Sequence, residues 1–527
     1  MRKKEYLRKG TRKIAVGMGL ALALTVGVAS AGTERAQAAE AGEETELKGP
    51  VALDSTHFPD AVFREFLGAQ YDKNANGILE TEEIDSAEEL ILAPEAQNVI
   101  DEKNYTDHRR YLDISGIEYF QSLKKVNISG WYLRNKDLIN QIAGIEQLIL
   151  DYDDISSIEL KKMKKLKYFS ARNNELTKID FSNNKNLEFL YVDGNYISKL
   201  DFKKNAKLKE INVCKNDLSK LDLSAASKLR TLVANENRIV SISFPKKAPL
   251  KKIVVSYNQL RKLDVSRFKK LRELNIKGNA ISYLNLTSNK KLSYLDVSEN
   301  LFRKLNLDNN KKLKTLICAE NNLTSVEFKK MNGLQKLDCG NNPLKKLNTK
   351  MYEGLEWLRC SSTKLEELDV SENEYLTLLD CSENELTALD VSGCNELQAL
   401  HCGENCLTEL ELGEQPNLVK LYCYDNSINL LDASGCTSLN IIDPASFDCT
   451  DNGTRRIVEK EDDGAYLVDL DVYDDDEYAD GYEGEYDYEF SPISVNKMFV
   501  TKTPYIAEYT EAVLSDKLGI QCIFTNY

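Results

Sequence analysis

The sequence contains few of the residues on which metal sites and nucleophilic catalysis most often depend. Its 527 residues include only three histidines, His57, His108 and His401. GxSxG and HExxH motifs are absent, and no cysteine is placed with a histidine as a catalytic pair. We therefore predict that the chain is not an enzyme. A less favoured alternative places catalysis in the C-terminal part, where no histidine lies.

Proline and glycine are also scarce, and positive charge does not dominate. Ten prolines and 26 glycines exclude a collagen-like or low-complexity chain. The formal net charge of −15 disfavours a nucleic-acid partner, because nucleic-acid phosphates would be repelled overall.

The N-terminus reads as a secretory signal peptide. A basic stretch from Met1 to Lys13 precedes an uncharged apolar run, Ile14–Ala31, and small residues allow cleavage after Ala31 or Ala38. We expect residues 1–38 to be the signal peptide and residues 39–54 a linker; an uncleaved membrane anchor is the alternative. The sequence shows no further spanning stretch and no LPxTG-like sorting signal. The mature chain is therefore expected to be extracellular, either secreted or loosely held at the cell surface.

A 21-residue repeat dominates the remaining sequence. A leucine recurs at this interval from Leu166 to Leu439, and we number each coil from it as position 0. Apolar residues follow at +3, +5, +10 and +13. Position +8 is asparagine in nearly every coil. It is Trp131 and Asp153 at the start, Phe447 at the end and Thr363 within the array, where we expect a locally irregular turn.

This pattern, LxxLxLxxNxLxxL, resembles the leucine-rich-repeat family. Positions +3 and +5 alternate with polar residues, which predicts a short strand with one buried face. The resemblance implies a mainly β, right-handed, curved solenoid with a parallel concave sheet over residues 121–445. Because 21 residues leave little room for outer helices, we expect strand-like outer segments. A small helical cap (residues 55–120) and a β-rich C-terminal cap (residues 446–527) complete the prediction.

Residues 72–83, DKNANGILETEE, match the EF-hand loop pattern D-x-[DN]-x-[DN]-G-x5-E. The flanking apolar residues, which include Phe63, Ile84 and Leu90, give helical signals on either side. The resemblance implies six calcium ligands: Asp72, Asn74, Asn76, Ile78 through its carbonyl, Glu80 and Glu83. A single loop with two asparagines predicts weak, structural calcium binding. The alternative is a cap that has kept its shape and lost the metal.

Six cysteines share position +5: Cys318, Cys339, Cys360, Cys381, Cys402 and Cys423. We interpret them as small buried residues, although neighbouring strands, ~4.8 Å apart, are close enough for disulfides by distance alone. Cys394, Cys406, Cys436, Cys449 and Cys522 are placed outside this ladder.

Positions +2, +4 and +6 are expected to face solvent on the concave side of the sheet. Exposed aromatics there are candidates for binding a protein or glycan, with chance exposure as the alternative. The predicted partner-binding residues are Tyr168, Phe189, Tyr191, Tyr294, Trp357, His401, Tyr422 and Tyr424.

The acidic, tyrosine-rich stretch Asp471–Glu489 reads as a solvated loop, or alternatively as a loose cation site. Together these features resemble the internalin-like exported proteins of Gram-positive bacteria. The resemblance implies a monomeric module for protein binding or adhesion. A purely structural cell-surface component is the alternative from another class.

Overall fold

The computed structural model describes residues 49–93, 100–101, 106–107, 111–326, 331–428, 430–440, 447–450, 452, 456–461 and 464–469. The predicted signal peptide, His108, Cys522 and the acidic stretch Asp471–Glu489 lie outside the described residues. Within the described part of the chain, no helix is both long and apolar enough to cross a membrane.

A parallel sheet built from very short strands organises the fold. Each strand pairs in register with the strand of the next coil, so that equivalent repeat positions form straight rows, as for Tyr168 beside Phe189. In chain order the strands are Glu89–Ile91, Lys125–Asn127, Gln147–Ile149, Tyr168–Ser170, Phe189–Tyr191, Glu210–Asn212, Thr231–Val233, Lys252–Val254, Glu273–Asn275, Tyr294–Asp296, Thr315–Ile317, Lys336–Asp338, Trp357–Arg359, Leu378–Asp380, Ala399–His401, Lys420–Tyr422 and Phe447–Asp448.

The core lies behind this sheet and confirms the predicted repeat. Leu190 at +3 and Val192 at +5 are fully buried, as are the equivalent residues of the neighbouring coils. Each such side chain contributes roughly 1.5–3 kcal/mol, and only when the next coil covers it. The coils therefore stabilise one another in series.

The outer segments are extended, as predicted, and form strands in only some coils. The parallel pairs there are Tyr111–Asp113 with Tyr132–Arg134, Lys220–Asp222 with Ser241–Ser243, Ala388–Asp390 with Glu409–Glu411, and Leu430–Asp432 with Arg456–Glu461, which also pairs antiparallel with Gly464–Asp469. Three short 3-10 helices cover Ile117–Tyr119, Lys136–Gln141 and Thr349–Met351. A further antiparallel pair joins Ile100–Asp101 and Thr106–Asp107.

The N-terminal cap contains two helices, α1 (Ala61–Tyr71) and α2 (Thr81–Asp85). Helix α1 begins at Asp60, whose carboxylate accepts hydrogen bonds from two backbone amides of the first turn. Helix α2 is shorter than its apolar pattern predicted. Leu90, which we assigned to the helical signals, lies instead in the first strand of the parallel sheet, where it is fully buried.

The asparagine at +8 joins consecutive coils through its side-chain amide. Nδ2 of Asn300 donates to the carbonyl of Ile276 in the preceding coil (2.9 Å) and to that of Ser298 in its own coil (2.9 Å). Its Oδ1 accepts the amide of Ile281, also in the preceding coil (3.0 Å). Most other asparagines at +8 repeat this set of bonds, as Asn258 does, so each amide gives partners to backbone groups of two coils.

The residue before this asparagine, at +7, adopts a left-handed backbone conformation. Glu236, Glu320 and Glu404 have φ values of 53°, 52° and 54°, and Gly194 and Gly278 occupy the same position in their coils. A non-glycine residue in this conformation costs about 1–2 kcal/mol. The bonds of the buried amide offset part of this cost, although Tyr152 and Ser362 adopt the same conformation before Asp153 and Thr363.

Two of the irregular +8 positions, Thr363 and Asp153, show how the turn is completed without the asparagine. Thr363 is buried, and its hydroxyl donates to the carbonyl of Cys360 (2.8 Å), which replaces one of the missing amide bonds. In this coil the next residue, Lys364, is also left-handed, with φ of 67°. Asp154, the residue after Asp153, is likewise left-handed, with φ of 55°. The predicted local irregularity at Thr363 is confirmed.

A second polar ladder lies three residues before position 0 and was not predicted. Nδ2 of Asn205 donates to the carbonyls of Phe181 (3.1 Å) and Asn184 (2.9 Å) in the preceding coil. Asn184, Asn205, Asn289, Asn310, Asn373 and Gln415 occupy this position and are fully buried. Their 21-residue recurrence was a signal available in the sequence.

The repeat continues one coil beyond the predicted boundary at residue 445. Phe447 pairs with Leu421 at +3 rather than occupying +8, and Asn452 provides the bridging amide instead. Its Nδ2 donates to the carbonyl of Cys423 (2.8 Å), and its Oδ1 accepts the amide of Ile428 (3.0 Å). Extra residues before this coil shift the register, which hid it from a search at constant spacing.

The cysteine ladder is buried and reduced. The six cysteines at +5 are fully buried, and none of the described cysteines forms a disulfide. Cys449, which we placed outside the ladder, extends it, because its strand pairs beside Cys423 in the added coil. Burial raises the pKa of the Cys318 and Cys360 thiols well above their ordinary value. The ladder is therefore chemically inert while the coils are stacked.

Replacing Asn300 by alanine is expected to lower the free energy of unfolding by about 2–3 kcal/mol, because it leaves buried backbone groups of two coils without partners. Urea unfolding followed by circular dichroism measures this loss. Asn309→Ala is the matched control, since Asn309 lies in the same coil and is exposed. Equal losses in the two variants would contradict the role of the bridging amide.

Alkylation with iodoacetamide should distinguish the ladder from Cys406, which is exposed. In the native protein we expect Cys406 to react at least about 100-fold faster than Cys360, because the ladder thiols react only after the coils open. Peptide mapping by mass spectrometry measures both rates, with concentrated guanidinium chloride as the control that equalises them. Comparable native rates would show that the ladder is accessible.

Candidate sheet-face binding site

All eight predicted binding residues lie on the solvent side of the parallel sheet, and all eight are partly exposed. They occupy positions +2, +4 and +6, as the repeat register predicted. The structure separates them into two groups, which we call the proximal patch and the distal patch, with Tyr294 on a coil between them.

The proximal patch consists of Tyr168, Phe189, Tyr191, Arg172 and Glu210. The ring of Tyr168 lies 6.2 Å from that of Phe189 and 5.4 Å from that of Tyr191. The Arg172 guanidinium lies 4.6 Å from the centre of the Tyr191 ring, and the Tyr191 hydroxyl donates to Glu210 (3.1 Å). The Tyr191 ring is thus held by charged residues of the two neighbouring coils, and Tyr168 packs against both other rings.

Burial also changes the chemistry of the proximal patch. It raises the pKa of Tyr191 to about 12, with Glu210 as the next cause. Asp151 and Asp193 lie in the row that contains Arg172, and burial raises the pKa of both carboxyl groups. The Asp193 carboxylate lies 3.4 Å from Nε of Arg172. The patch therefore combines apolar rings with a partly desolvated arginine, the composition of binding hot spots.

The distal patch consists of Lys336, Trp357, Arg359, Asp380, His401, Tyr422 and Tyr424. Lys336 places its ammonium group 5.8 Å from the Trp357 ring. Arg359 forms an ion pair with Asp380 (3.1 Å), which lies beside His401 in the next strand, and the His401 and Tyr422 rings meet edge to face at 4.8 Å. These contacts link the strand of Trp357 to the histidine–tyrosine group across successive coils.

His401 is the polar centre of the distal patch. Burial lowers the pKa of its imidazole, although the Asp380 carboxylate opposes this shift. Nε2 of His401 is buried and has no hydrogen-bond partner among the described residues. Such an atom is costly unless a partner satisfies it, so a bound ligand with a hydrogen-bonding group would be favoured here.

Tyr424 depends on a glycine in the preceding coil. A Cβ atom at Gly403 would lie 2.8 Å from a carbon of the Tyr424 ring. Because Gly403 has no side chain, the Tyr424 ring can pack against the sheet.

Sequence reasoning found the aromatic residues of both patches. It missed Arg172, Glu210, Lys336, Arg359 and Asp380, whose charges at +2, +4 and +6 were the available signal.

The predicted EF-hand-like loop lies between helices α1 and α2. The Asp72 carboxylate accepts the Gly77 amide (2.9 Å), and Asn76 Oδ1 accepts the Ile78 amide (2.8 Å). Glu83 is buried, and its two oxygens accept the amides of Lys73 (2.8 Å) and Glu80 (2.9 Å). The loop therefore adopts a closed turn with its oxygen-bearing residues drawn together.

The donor set of this loop fits a hard cation only if neutral oxygens take part. The described residues bring no three acidic, histidine or cysteine side chains into a metal-binding group. Asn74, Asn76 and the Ile78 carbonyl would have to complete the set, as they do in the EF-hand pattern. Carboxylate oxygens can accept a hydrogen bond and still bind a metal, so the contacts of Glu83 are compatible with calcium.

The loop also has a strand partner of its own. Ile78–Leu79 pairs antiparallel with Val51–Ala52, and the Leu53 amide donates to the Gly77 carbonyl (3.0 Å). The segment before helix α1 is therefore the strand partner of this loop.

Comparison with solved structures identifies the architecture. The functional domain of InlJ from Listeria monocytogenes, which includes a cysteine ladder, superposes with a TM-score of 0.62 at 25% identity, covering 76% of this chain and 81% of that chain. The chain has a leucine-rich-repeat fold. No family model matches it, and neither does any curated protein.

Two further leucine-rich-repeat structures show the same fold. The Leptospira interrogans protein LIC12759 has a TM-score of 0.53 at 22% identity, covering 64% of this chain and 87% of that one. The plant peptide hormone receptor RGFR1, solved in complex with RGF2, has a TM-score of 0.51 at 18% identity, covering 65% and 69%. These likenesses establish the fold alone. The function has to be inferred from the chemistry of the sheet face.

Proposed function

We propose that the protein is an extracellular binding module that recognises a protein ligand on the solvent face of its parallel sheet. The observation that carries this proposal is the distal patch. There, a partly exposed tryptophan, an arginine–aspartate ion pair, a histidine and a tyrosine lie on successive coils of one sheet face. The predicted signal peptide supports an extracellular location.

The fold favours this use of the surface. The sheet backbone is fixed by hydrogen bonds between coils, so side chains on its face lose little conformational freedom on binding. Aromatic and arginine side chains contribute most strongly to protein interfaces. RGFR1, a plant peptide hormone receptor with the same fold, was solved in complex with RGF2. A purely structural surface component would need no such patch.

The N-terminal loop has a separate role in the proposal. We infer that Asp72, Asn74, Asn76, Ile78, Glu80 and Glu83 hold calcium as a structural ion. The closed loop and the buried Glu83 carboxylate support this inference, because a bound cation would offset the cost of burying that charge. The ion would steady the cap that covers the first coil.

Trp357→Ala and Tyr422→Ala are each expected to weaken ligand binding by at least about tenfold, as befits hot-spot side chains. Capture from mucosal and bacterial-surface extracts, followed by mass spectrometry, would identify the ligand. Biolayer interferometry with the purified ligand would then give Kd for each variant. The control is Tyr283→Ala, which removes an aromatic side chain that is 74% exposed and off the sheet face. Equal affinity in all three variants would contradict the proposed site.

Calcium at 10 mM is expected to stabilise the chain by about 1.4 kcal/mol if Kd is about 1 mM, as in other weak extracellular sites. Differential scanning calorimetry in calcium and in EGTA measures the shift in Tm. Asp72→Ala should abolish the calcium-dependent shift, whereas Asp85→Ala, at an exposed position in helix α2, should preserve it. An unchanged Tm for the wild type would refute calcium binding.

A further inference from the structure

Charge is strongly segregated along the repeat array, although the whole chain is acidic. Residues 161–350 contain 42 lysines and arginines and only 17 acidic residues. Residues 351–450 contain three basic and 20 acidic residues. The first part of the array is therefore a polycation joined to a polyanion, and the net charge of −15 conceals this.

Position +1 concentrates this positive charge at the edge where the sheet strands begin. Arg230, Lys251 and Arg272 occupy it on three successive coils and are all exposed. The Lys251 amide donates to the Arg230 carbonyl (2.8 Å), and the Arg272 amide donates to the Lys251 carbonyl (2.8 Å). Their backbones are thus neighbours in one row, about 4.8 Å apart. We call these three residues the basic strip.

The basic strip differs from the ion-paired residues around it. Lys209, one coil earlier in the same row, forms an ion pair with Glu188, and Lys252, next to the strip, forms one with Glu273. Within the described residues, no acidic side chain pairs with any of the three strip residues. Further exposed lysines flank the strip at Lys228, Lys269, Lys270, Lys290 and Lys291.

The same chain contains a segment of complementary charge. Asp471–Glu489 has ten acidic residues among 19 and no lysine or arginine. We propose that this segment binds along the basic strip of its own chain. Carboxylates would pair with the two guanidinium groups and the ammonium group, and these contacts would weaken as salt concentration rises.

The geometry permits this contact within one molecule. The last described strand, Gly464–Asp469, belongs to the sheet that includes Leu430–Asp432. That coil lies seven repeat steps from the coil of Arg272, or about 34 Å along the array. Twenty residues can span up to about 66 Å when extended. A tethered segment also acts at a high effective concentration, which compensates for weak individual ion pairs.

This contact would give the acidic segment a role beyond solvation. The strip borders the sheet face between the proximal and distal patches. A segment docked there would neutralise charge that otherwise attracts unrelated polyanions.

Zero-length carbodiimide crosslinking of the full chain tests this contact, because it joins lysine to carboxylate only when the two touch. We expect crosslinks from residues 471–489 to Lys251, Lys269 and Lys270 at low salt, and their loss in 0.5 M NaCl. The exposed lysines Lys345 and Lys346 are internal controls and should give roughly tenfold fewer crosslinks. Equal crosslinking of both lysine groups would overturn the proposal.

Reversing the charges on both partners tests whether the contact is specific, because crosslinks should be lost in one variant and regained in the other. The variant Arg230→Glu/Lys251→Glu/Arg272→Glu should lose crosslinks to the flanking lysines, and adding Asp474→Lys/Asp475→Lys/Asp476→Lys should restore crosslinks between strip and segment. Lys345→Glu/Lys346→Glu is the matched control and should behave as wild type. Circular dichroism checks that each variant is folded.

Two further outcomes would overturn the proposal. Crosslinks that join isotopically labelled to unlabelled molecules would show that the segment binds a second copy. Polyphosphate binding that is equally tight in the wild type and in a variant with neutralised acidic residues in 471–489 would show that the segment leaves the strip open.

Discussion

The buried amide at position +8 is the interaction on which the rest of the structure depends. Strands of three residues cannot satisfy the backbone groups of the turns that follow them, and those turns point toward the core. The asparagine supplies two donors and an acceptor at that point and connects each coil to the one before it. It directly follows the left-handed residue at +7. Because the amide must reach carbonyls at fixed positions, it favours a constant coil length through the regular part of the array.

A constant coil length has a direct consequence for surface chemistry. Equivalent positions fall into straight rows, so function on this fold is arranged along rows rather than within one loop. The ion pair between Arg359 and Asp380 and the ring contact between His401 and Tyr422 both join successive coils. The same geometry places Arg230, Lys251 and Arg272 side by side. A ligand that follows such a row meets several groups at once, and each group is oriented by the backbone of its strand.

The sequence was sufficient to predict what repeats at constant spacing. It located the buried positions, the bridging asparagines and the solvent-facing aromatics, because each depends only on register. It failed where spacing or pairing changed. The coil of Phe447 and Asn452 was missed because additional residues precede it. The ion pair of the distal patch was missed because Arg359 and Asp380 are 21 residues apart in the chain and become neighbours only when coils stack. Leu90 was assigned to a helix because a short apolar run does not distinguish a strand from a helix.

The ends of the array affect its stability more strongly than the interior repeats do. An interior coil has another coil on each side. The first coil has a coil on one side only, and the cap covers its other side. Stability in such arrays is a sum over neighbours, so opening begins where one neighbour is missing. Leu90, in the first strand, is fully buried next to a cap made from two short helices. The strand Val51–Ala52 and the closed loop of residues 72–83 fix that cap through a few hydrogen bonds. A weakly bound ion in this loop would therefore protect the coils that follow it, since fraying of the first coil exposes the next.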